Sequence, residues 1–240
     1  MIIVVHCNGL AVCLLTLSNY LIKGMSRFMR KKLSICVLLI IVLAISIISE
    51  TALAVKETCS HGRRTFNDKK LASGVGDYGN KTRYYWIDSD FSSTYKECIR
   101  TAFNNWTKTS SNPGVTTPIS IKESSLKSDA TFEIHKKTLS GNTTGITEFY
   151  SYSQQVADAS SKNWTWNKIF IDASQTKNYP KNQKVGLVEH EVGHAMGLSH
   201  QPNNPTGSIM YNYDDGRKFS NGEYRNRPSK KDCNNINHIY

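Results

Sequence analysis

Short stretches of alternating apolar and polar residues recur between residues 83 and 172, and this is the pattern of half-buried β-strands. Most of these stretches are rich in β-branched and aromatic residues, and turn-forming residues such as Asn112, Pro113 and Gly114 separate them. The pattern predicts strands at residues 83–88, 119–121, 130–134, 146–152 and 168–172.

Helical periodicity marks three further stretches, in which apolar residues recur every three or four positions. The first begins at a capping Ser93 or Thr94, the second covers residues 184–198, and the third begins after Ser229. A polar loop at residues 201–228 separates the last two helices. A strand, a helix, several strands, a helix, a loop and a helix in this order describe an α+β domain.

The first 54 residues follow a different pattern. A basic segment at residues 29–32 precedes an apolar run from Leu33 to Ile48, and the small residues Ala52 and Ala54 come next. These are the three parts of a secretory signal peptide, so we expect cleavage after Ala54 and a secreted, extracellular protein that could associate with the cell surface. The apolar run is shorter than the roughly 20 residues of a membrane span, so we expect no stable span after processing.

A second apolar stretch lies within residues 1–28, and two interpretations of it stay open. Either translation begins at Met25 or Met29, or these residues form a membrane hairpin. The predicted organisation is an N-terminal extension with a cleaved signal peptide at 1–54, a polar arm or short pro-segment at 55–80, and a folded domain at 81–240.

Composition and charge exclude several classes of protein. The chain has 240 residues, of which 39% are apolar and 10% aromatic, and this is too hydrophobic for a disordered chain. The net charge of +11 would suit an anionic partner. However, basic runs beyond residue 54 are no longer than two residues, as at Lys136–Lys137, and we find no nucleic-acid-binding motif. We therefore expect a solvated basic surface and no nucleic-acid partner.

Three cysteines follow the predicted cleavage site, namely Cys59, Cys98 and Cys233. Export to an oxidising compartment favours one disulfide among them. Three pairings are open, and the sequence does not choose between them.

The most informative residues lie within the second predicted helix. His190 and His194 are four positions apart, so both side chains lie on one face of a helix and can reach one metal ion. Gly197 can adopt a positive φ and end the helix, which allows the chain to turn back and bring His200 to the same ion. Three imidazoles with an open fourth position are typical of a catalytic zinc site, and Glu191 lies beside the first ligand as a candidate general base.

Chance is a poor explanation of this spacing. At average residue frequencies the shorter HExxH pattern alone is expected in well under about 1% of chains of this length. Gly197 and His200 at fixed spacing make the full pattern much rarer. A site that only binds metal has no need of Glu191, so the pattern favours catalysis over metal binding alone.

The pattern HExxHxxGxxH followed by a methionine resembles the signature of the metzincins, a clan of zinc endopeptidases. Met210 supplies the methionine, and the resemblance implies that it forms an apolar floor beneath the metal site, in the Met-turn, without being a ligand. Within the clan the chain is most similar to the matrixins, because Tyr211 follows the methionine. Astacins and serralysins instead place a tyrosine ligand where this chain has Asn212.

The resemblance implies a metzincin-like zincin domain of the α+β class, with a twisted, mostly parallel sheet, an active-site helix, the Met-turn and a C-terminal helix. It implies one catalytic Zn²⁺ and a polypeptide substrate bound extended along an edge strand, for which Gly145–Tyr150 is the candidate. A second, structural zinc is not expected, because His135 is the one histidine between Thr82 and Glu189. Acidic residues are sparse there too, which makes structural calcium doubtful.

The resemblance therefore implies a zinc endopeptidase in which Glu191 is the general base for hydrolysis of internal peptide bonds. With the predicted signal peptide, we expect a secreted protein, and we expect a monomer. Two alternatives stay open at this point. The chain could be a metal-binding surface protein with an inactive metzincin fold, or a hydrolase of cell-wall peptides.

Overall fold

The computed structural model describes residues 64–201, 207–212, 218 and 221–240. The signal peptide predicted at 1–54 and Cys59 lie outside these residues. The strands are β1 (Arg83–Ile87), β2 (Ile121–Glu123), β3 (Phe132–Lys136), β4 (Gly145–Ser151), β5 (Gln154–Val156) and β6 (Trp166–Ile171). The helices are α1 (Ser93–Thr107), α2 (Lys181–Ala195) and α3 (Lys230–Ile239).

The six strands form one sheet in the order β2-β1-β3-β6-β4-β5. The strands β2, β1, β3 and β6 are parallel, whereas β4 is antiparallel to β6 and β5 is antiparallel to β4. The predicted α+β fold with a mostly parallel sheet is confirmed. The antiparallel strand β4 lies against α2 and carries the Thr147 hydroxyl that contacts Glu191.

The core lies between one face of the sheet and the helices α1 and α2. Tyr85 of β1 lies opposite Phe132 of β3, and both are buried. The ring of Phe103 in α1 stacks on Tyr85 with a centroid distance of 3.9 Å. The indole Nε1 of Trp106, also in α1, donates a hydrogen bond of 3.0 Å to the carbonyl oxygen of Glu189 in α2. The buried apolar face of α1 therefore holds α2 in place through Trp106.

The strand bounds are shifted by one to two residues from the predicted ones, and two helix starts differ for clear physical reasons. The cap of α1 is Ser92, whose backbone is extended and whose hydroxyl accepts from the amide of Tyr95, so the cap precedes the predicted Ser93 or Thr94. Helix α2 begins at Lys181, three residues before the predicted start, because the carbonyl oxygen of the capping Pro180 already accepts from the amides of Gln183 and Lys184. The predicted capping residue of α3, Ser229, is confirmed.

The part of the N-terminal arm that the structure describes is built into the domain. Leu71 and Val75 are buried in the core. The amide of Leu71 donates to the hydroxyl of Tyr240, which in turn donates to the carbonyl oxygen of Met196 just beyond the end of α2. The arm therefore connects the C-terminus to the end of the histidine-bearing helix.

Cys98 in α1 and Cys233 in α3 are buried free thiols. Each of the three open pairings includes Cys98 or Cys233, so the expected disulfide is wrong. Among the residues that the structure describes, no helix is long and apolar enough to cross a membrane.

Candidate active site

Three histidine side chains converge at the C-terminal end of α2. The Nε2 atoms of His190 and His194 lie 3.0 Å apart, and His200 brings its Nε2 to 3.2 Å from the first and 3.0 Å from the second. His190 and His194 are buried, whereas His200 is exposed. The three residues that the sequence places in one metal site are therefore adjacent in the fold.

The turn after α2 brings His200 back towards the helix. Gly197 has a φ of +114°, a conformation that side chains other than glycine rarely adopt. The amide of Leu198 donates to the carbonyl oxygen of Gly193, and the amide of Ser199 donates to that of Arg64 in the N-terminal arm. The returning chain is thus fixed both by the helix end and by the arm.

The orientation of the two helical imidazoles is set by backbone carbonyls. The Nδ1 of His190 donates to the carbonyl oxygen of Ile209 over 2.9 Å, and the Nδ1 of His194 donates to that of Leu198 over 2.7 Å. Because a carbonyl oxygen only accepts, each Nδ1 carries the proton. The basic lone pair of each neutral ring is then on Nε2, which faces the other histidines.

This donor set fits a zinc ion. Tetrahedral coordination at Zn–N distances of about 2.0–2.1 Å places ligand nitrogens roughly 3.3–3.4 Å apart. The three Nε2 atoms are separated by 3.0–3.2 Å, so small ring movements would suffice. Neutral imidazoles suit Zn²⁺, whereas Ca²⁺ and Mg²⁺ prefer oxygen ligands.

The side chain of Glu191 extends from α2 to strand β4 and is buried. The hydroxyl of Thr147 donates to Glu191 Oε2 over 2.7 Å and lies 3.0 Å from the Glu191 carbonyl oxygen. On the same face of β4, an ideal Cβ built on Gly145 would lie only 2.8 Å from Glu191 Oε1. The candidate general base is therefore in direct contact with β4.

Met210 is buried, and its side chain lies against Gly193 of α2. The carboxylate of Asp232 in α3 accepts from the amide of Ile209 over 3.1 Å and also from the hydroxyl of Ser208. The same carboxylate accepts from the amide of Ser229 in a capping box at the start of α3. One buried acid thus joins the C-terminal helix to the turn that carries Met210.

A second buried acid, Glu189, precedes the first histidine. Its Oε1 accepts from the side-chain Nδ2 of Asn105 over 2.7 Å. Burial raises the pKa of Glu189 well above its usual range, so the neutral acid is favoured. This side chain packs against α1, so we assign it a structural role.

Strand β4 offers a backbone edge beside Glu191. One edge of β4 pairs with β6 along its length, while β5 covers the other edge at Phe149–Ser151. Within the residues that the structure describes, no strand pairs with that outer edge at 145–148. An extended peptide could add there as a further strand.

Three contacts of the site were missed from the sequence. Thr147, Asp232 and Phe66 are distant from the histidines along the chain, and single residues of these types carry no pattern. The ring of Phe66 in the arm lies 5.8 Å from the ring of His194, centroid to centroid. The turn-forming residues near Met210 indicate a turn in the sequence, but they do not indicate that Asp232 contacts it.

Comparison with known protein families gives a match to the matrixin peptidase family over residues 85–240. A search of curated protein sequences gave no significant match.

Solved structures similar to the chain include three proteins. The first is high choriolytic enzyme 1, a hatching enzyme zinc-protease of the medaka fish Oryzias latipes, with 16% sequence identity, coverage of 72% of this chain and 92% of that chain, and a TM-score of 0.38. The second is myroilysin, with 12% identity, coverage of 71% of this chain and 97% of that chain, and a TM-score of 0.45. The third is metalloproteinase-II of Bacteroides fragilis, with 11% identity, coverage of 71% of this chain and 55% of that chain, and a TM-score of 0.41. At these identities and TM-scores the structural similarities carry no part of the assignment. The match over residues 85–240 covers more than half of the sequence, and the chain belongs to the matrixin family of zinc metallopeptidases.

Proposed function

We propose that this protein is a secreted endopeptidase that uses one zinc ion, held by His190, His194 and His200, to hydrolyse internal peptide bonds. The observation that carries this proposal is the convergence of the three Nε2 atoms within 3.2 Å of one another, with Glu191 next to the first of them in the same helix. When bound, the ion supplies Lewis-acid chemistry and lowers the pKa of water from 15.7 towards about 7.

Glu191 is the general base in this proposal. Its carboxylate takes a proton from the attacking water and then gives it to the leaving amine, so one side chain serves both halves of the reaction. Burial of the side chain and its contact with Thr147 support this role, because a base must be held in reach of the reacting atoms.

Strand β4 is the proposed substrate platform. A polypeptide extended along the edge at residues 145–148 would hydrogen-bond to the backbone and lie beside Glu191. Recognition through the main chain suits cleavage of internal bonds, because it needs no free terminus.

Secretion is proposed from the sequence alone. The basic segment at 29–32, the apolar run from Leu33 to Ile48 and the small residues at Ala52 and Ala54 support export.

The test is digestion of a mixed peptide library by the purified protein, with and without a zinc chelator, read by mass spectrometry. We expect internal cuts that the chelator abolishes and that added zinc restores. The Glu191→Gln variant should retain zinc and lose activity by several orders of magnitude. Glu97→Gln is the matched control, because Glu97 is exposed and pairs with Lys181 at the surface. A zinc-loaded protein that cuts no peptide, or an active Glu191→Gln variant, would overturn the proposal.

A further inference from the structure

The hydroxyl of Thr147 lies at the centre of the contact between β4 and the candidate base. It donates to Glu191 Oε2 over 2.7 Å, and it lies 3.0 Å from the carbonyl oxygen of the same residue. Both acceptor atoms belong to Glu191, so one hydroxyl contacts the carboxylate and the backbone carbonyl of the same residue. A hydrogen bond to a charged acceptor is stronger than one between neutral groups.

Gly145, two residues before Thr147 on the same face of β4, leaves space for the other carboxylate oxygen, Oε1. Side chains two residues apart in a strand point to the same face, so Gly145 and Thr147 both face α2. A Cβ on Gly145 would lie 2.8 Å from Oε1 and 3.0 Å from Cγ of Glu191. Gly145 has no positive φ, so the need for glycine here is one of space.

We infer that Thr147 is a positioning residue: its hydroxyl holds the Glu191 carboxylate in one rotamer against strand β4, with Gly145 providing the space for the second oxygen. This inference rests on the proposed function, since it assigns a support to the proposed general base. It also means that one strand, β4, both contacts the proposed base in α2 and carries the proposed substrate edge, so that the position of β4 affects both.

A purely structural role for Thr147 makes a different prediction. Thr147 is half-buried in a strand that already pairs with β6 from Gly145 to Tyr150. If its hydroxyl served only to join β4 to α2, its loss would lower stability and would affect binding and turnover together. A positioning role affects turnover while leaving substrate binding, zinc binding and stability nearly unchanged.

The test compares Thr147→Val, which keeps the shape and removes the hydroxyl, with Thr147→Ser, which keeps the hydroxyl. We expect Thr147→Val to lower kcat by about 10- to 100-fold with KM within about twofold of wild type, and Thr147→Ser to restore most of kcat. Thr107→Val is the matched control, because it removes a part-buried hydroxyl that donates only to the carbonyl of Phe103 within α1. Equal kcat for Thr147→Val and wild type would overturn the inference.

A double-mutant cycle isolates the route of the effect. In the Glu191→Gln background, single-turnover cleavage should change by less than about twofold when Thr147→Val is added, because the group that Thr147 positions is already disabled. An equal further loss in that background would mean that Thr147 acts independently of Glu191, and it would overturn the inference.

A readout that does not depend on activity is the Glu191 rotamer in crystal structures of the variants. We expect one rotamer in wild type and in Thr147→Ser, and more than one in Thr147→Val. Gly145→Ala is a second probe, expected to displace the carboxylate and lower kcat in a protein that still binds zinc. An unchanged rotamer in both Thr147→Val and Gly145→Ala would overturn the inference. Absence of zinc-dependent cleavage by wild type would overturn the proposed function as well.

Discussion

The Sδ of Met210 occupies the space where the Cβ of any residue other than glycine at position 193 would be. An ideal Cβ built on Gly193 lies 2.3 Å from that sulfur and 3.2 Å from the Cε of the same methionine. Gly193 comes directly before His194 in α2, so the Met-turn contacts the helix within one residue of a proposed ligand. This close approach explains why a residue with poor helix propensity lies in the last turn of the helix.

Gly193→Ala should therefore destabilise the protein even though alanine favours a helix. Overpacking of this kind costs about 1–3 kcal/mol, which exceeds the roughly 1 kcal/mol that alanine gains over glycine in a helix. We expect a lower free energy of unfolding in urea and weaker zinc binding, because the clash is relieved by moving Met210 or the helix segment that carries His194.

The control for this prediction is the double variant Gly193→Ala/Met210→Ala. If the clash with the methionine is the cause, the cost of Gly193→Ala should become smaller once the sulfur is removed. If Gly193→Ala lowers the free energy of unfolding equally with and without Met210→Ala, the contact with the methionine is not the reason that position 193 is a glycine.

Asp232→Asn tests how α3 supports the Met-turn. The Oδ2 atom of Asp232 accepts from two amides and the hydroxyl of Ser229, and its Oδ1 accepts from Ser208. An asparagine has one oxygen in place of two, so at least one buried donor would lose its acceptor, at a cost of about 1–3 kcal/mol. Urea denaturation should detect this loss. Asp129→Asn is the control, because Asp129 is exposed; an equal loss in both variants would contradict the prediction.

Residues within one helix and its following turn could be placed from the sequence. The spacing of His190 and His194 fixes a shared helical face, and Gly197 identifies the turn that returns His200. Both relationships span at most ten residues, over which backbone geometry leaves few alternatives.

The contacts between distant elements could not be placed in the same way. Thr147 and Glu191 are 44 residues apart in sequence, and their hydrogen bond depends on which strand lies beside α2. The alternation at 146–152 predicts a strand but not its antiparallel position between β6 and β5. The three-residue strand β5 was not predicted, because it is too short to show a period.

The two buried cysteines should be unreactive in the folded protein. Burial raises the pKa of the Cys98 thiol, and it raises the pKa of Cys233 to about 12. Because the thiolate is the nucleophile, neither should be alkylated by iodoacetamide at pH 8 until the protein is unfolded. Peptide mapping by mass spectrometry reports each position separately, and rapid labelling of Cys233 in native protein would contradict the assignment.

The same shift predicts a loss of stability at alkaline pH. In the unfolded chain the Cys233 thiol titrates near its ordinary pKa of 9.0, whereas in the folded protein its pKa is about 12. The neutral thiol therefore makes its full contribution to the free energy of unfolding below about pH 9, and this contribution is lost as the pH rises towards about 12. Urea titrations at pH 8 and pH 10.5 should show a smaller pH-dependent loss in Cys233→Ala than in wild type; equal losses would contradict this.

Zinc should stabilise the folded protein through all three histidines, and His200 allows this to be measured separately from folding. Free zinc at about 100 times its dissociation constant should add about 2.7 kcal/mol to the free energy of unfolding. His200 is exposed, so His200→Ala should change the stability of the metal-free protein by less than about 0.5 kcal/mol while removing most of the gain from zinc. Thermal unfolding of both proteins, with chelator and with added zinc, provides the comparison, and His238→Ala serves as the control outside the site. A zinc-dependent gain in His200→Ala equal to that of wild type would show that His200 is not a ligand.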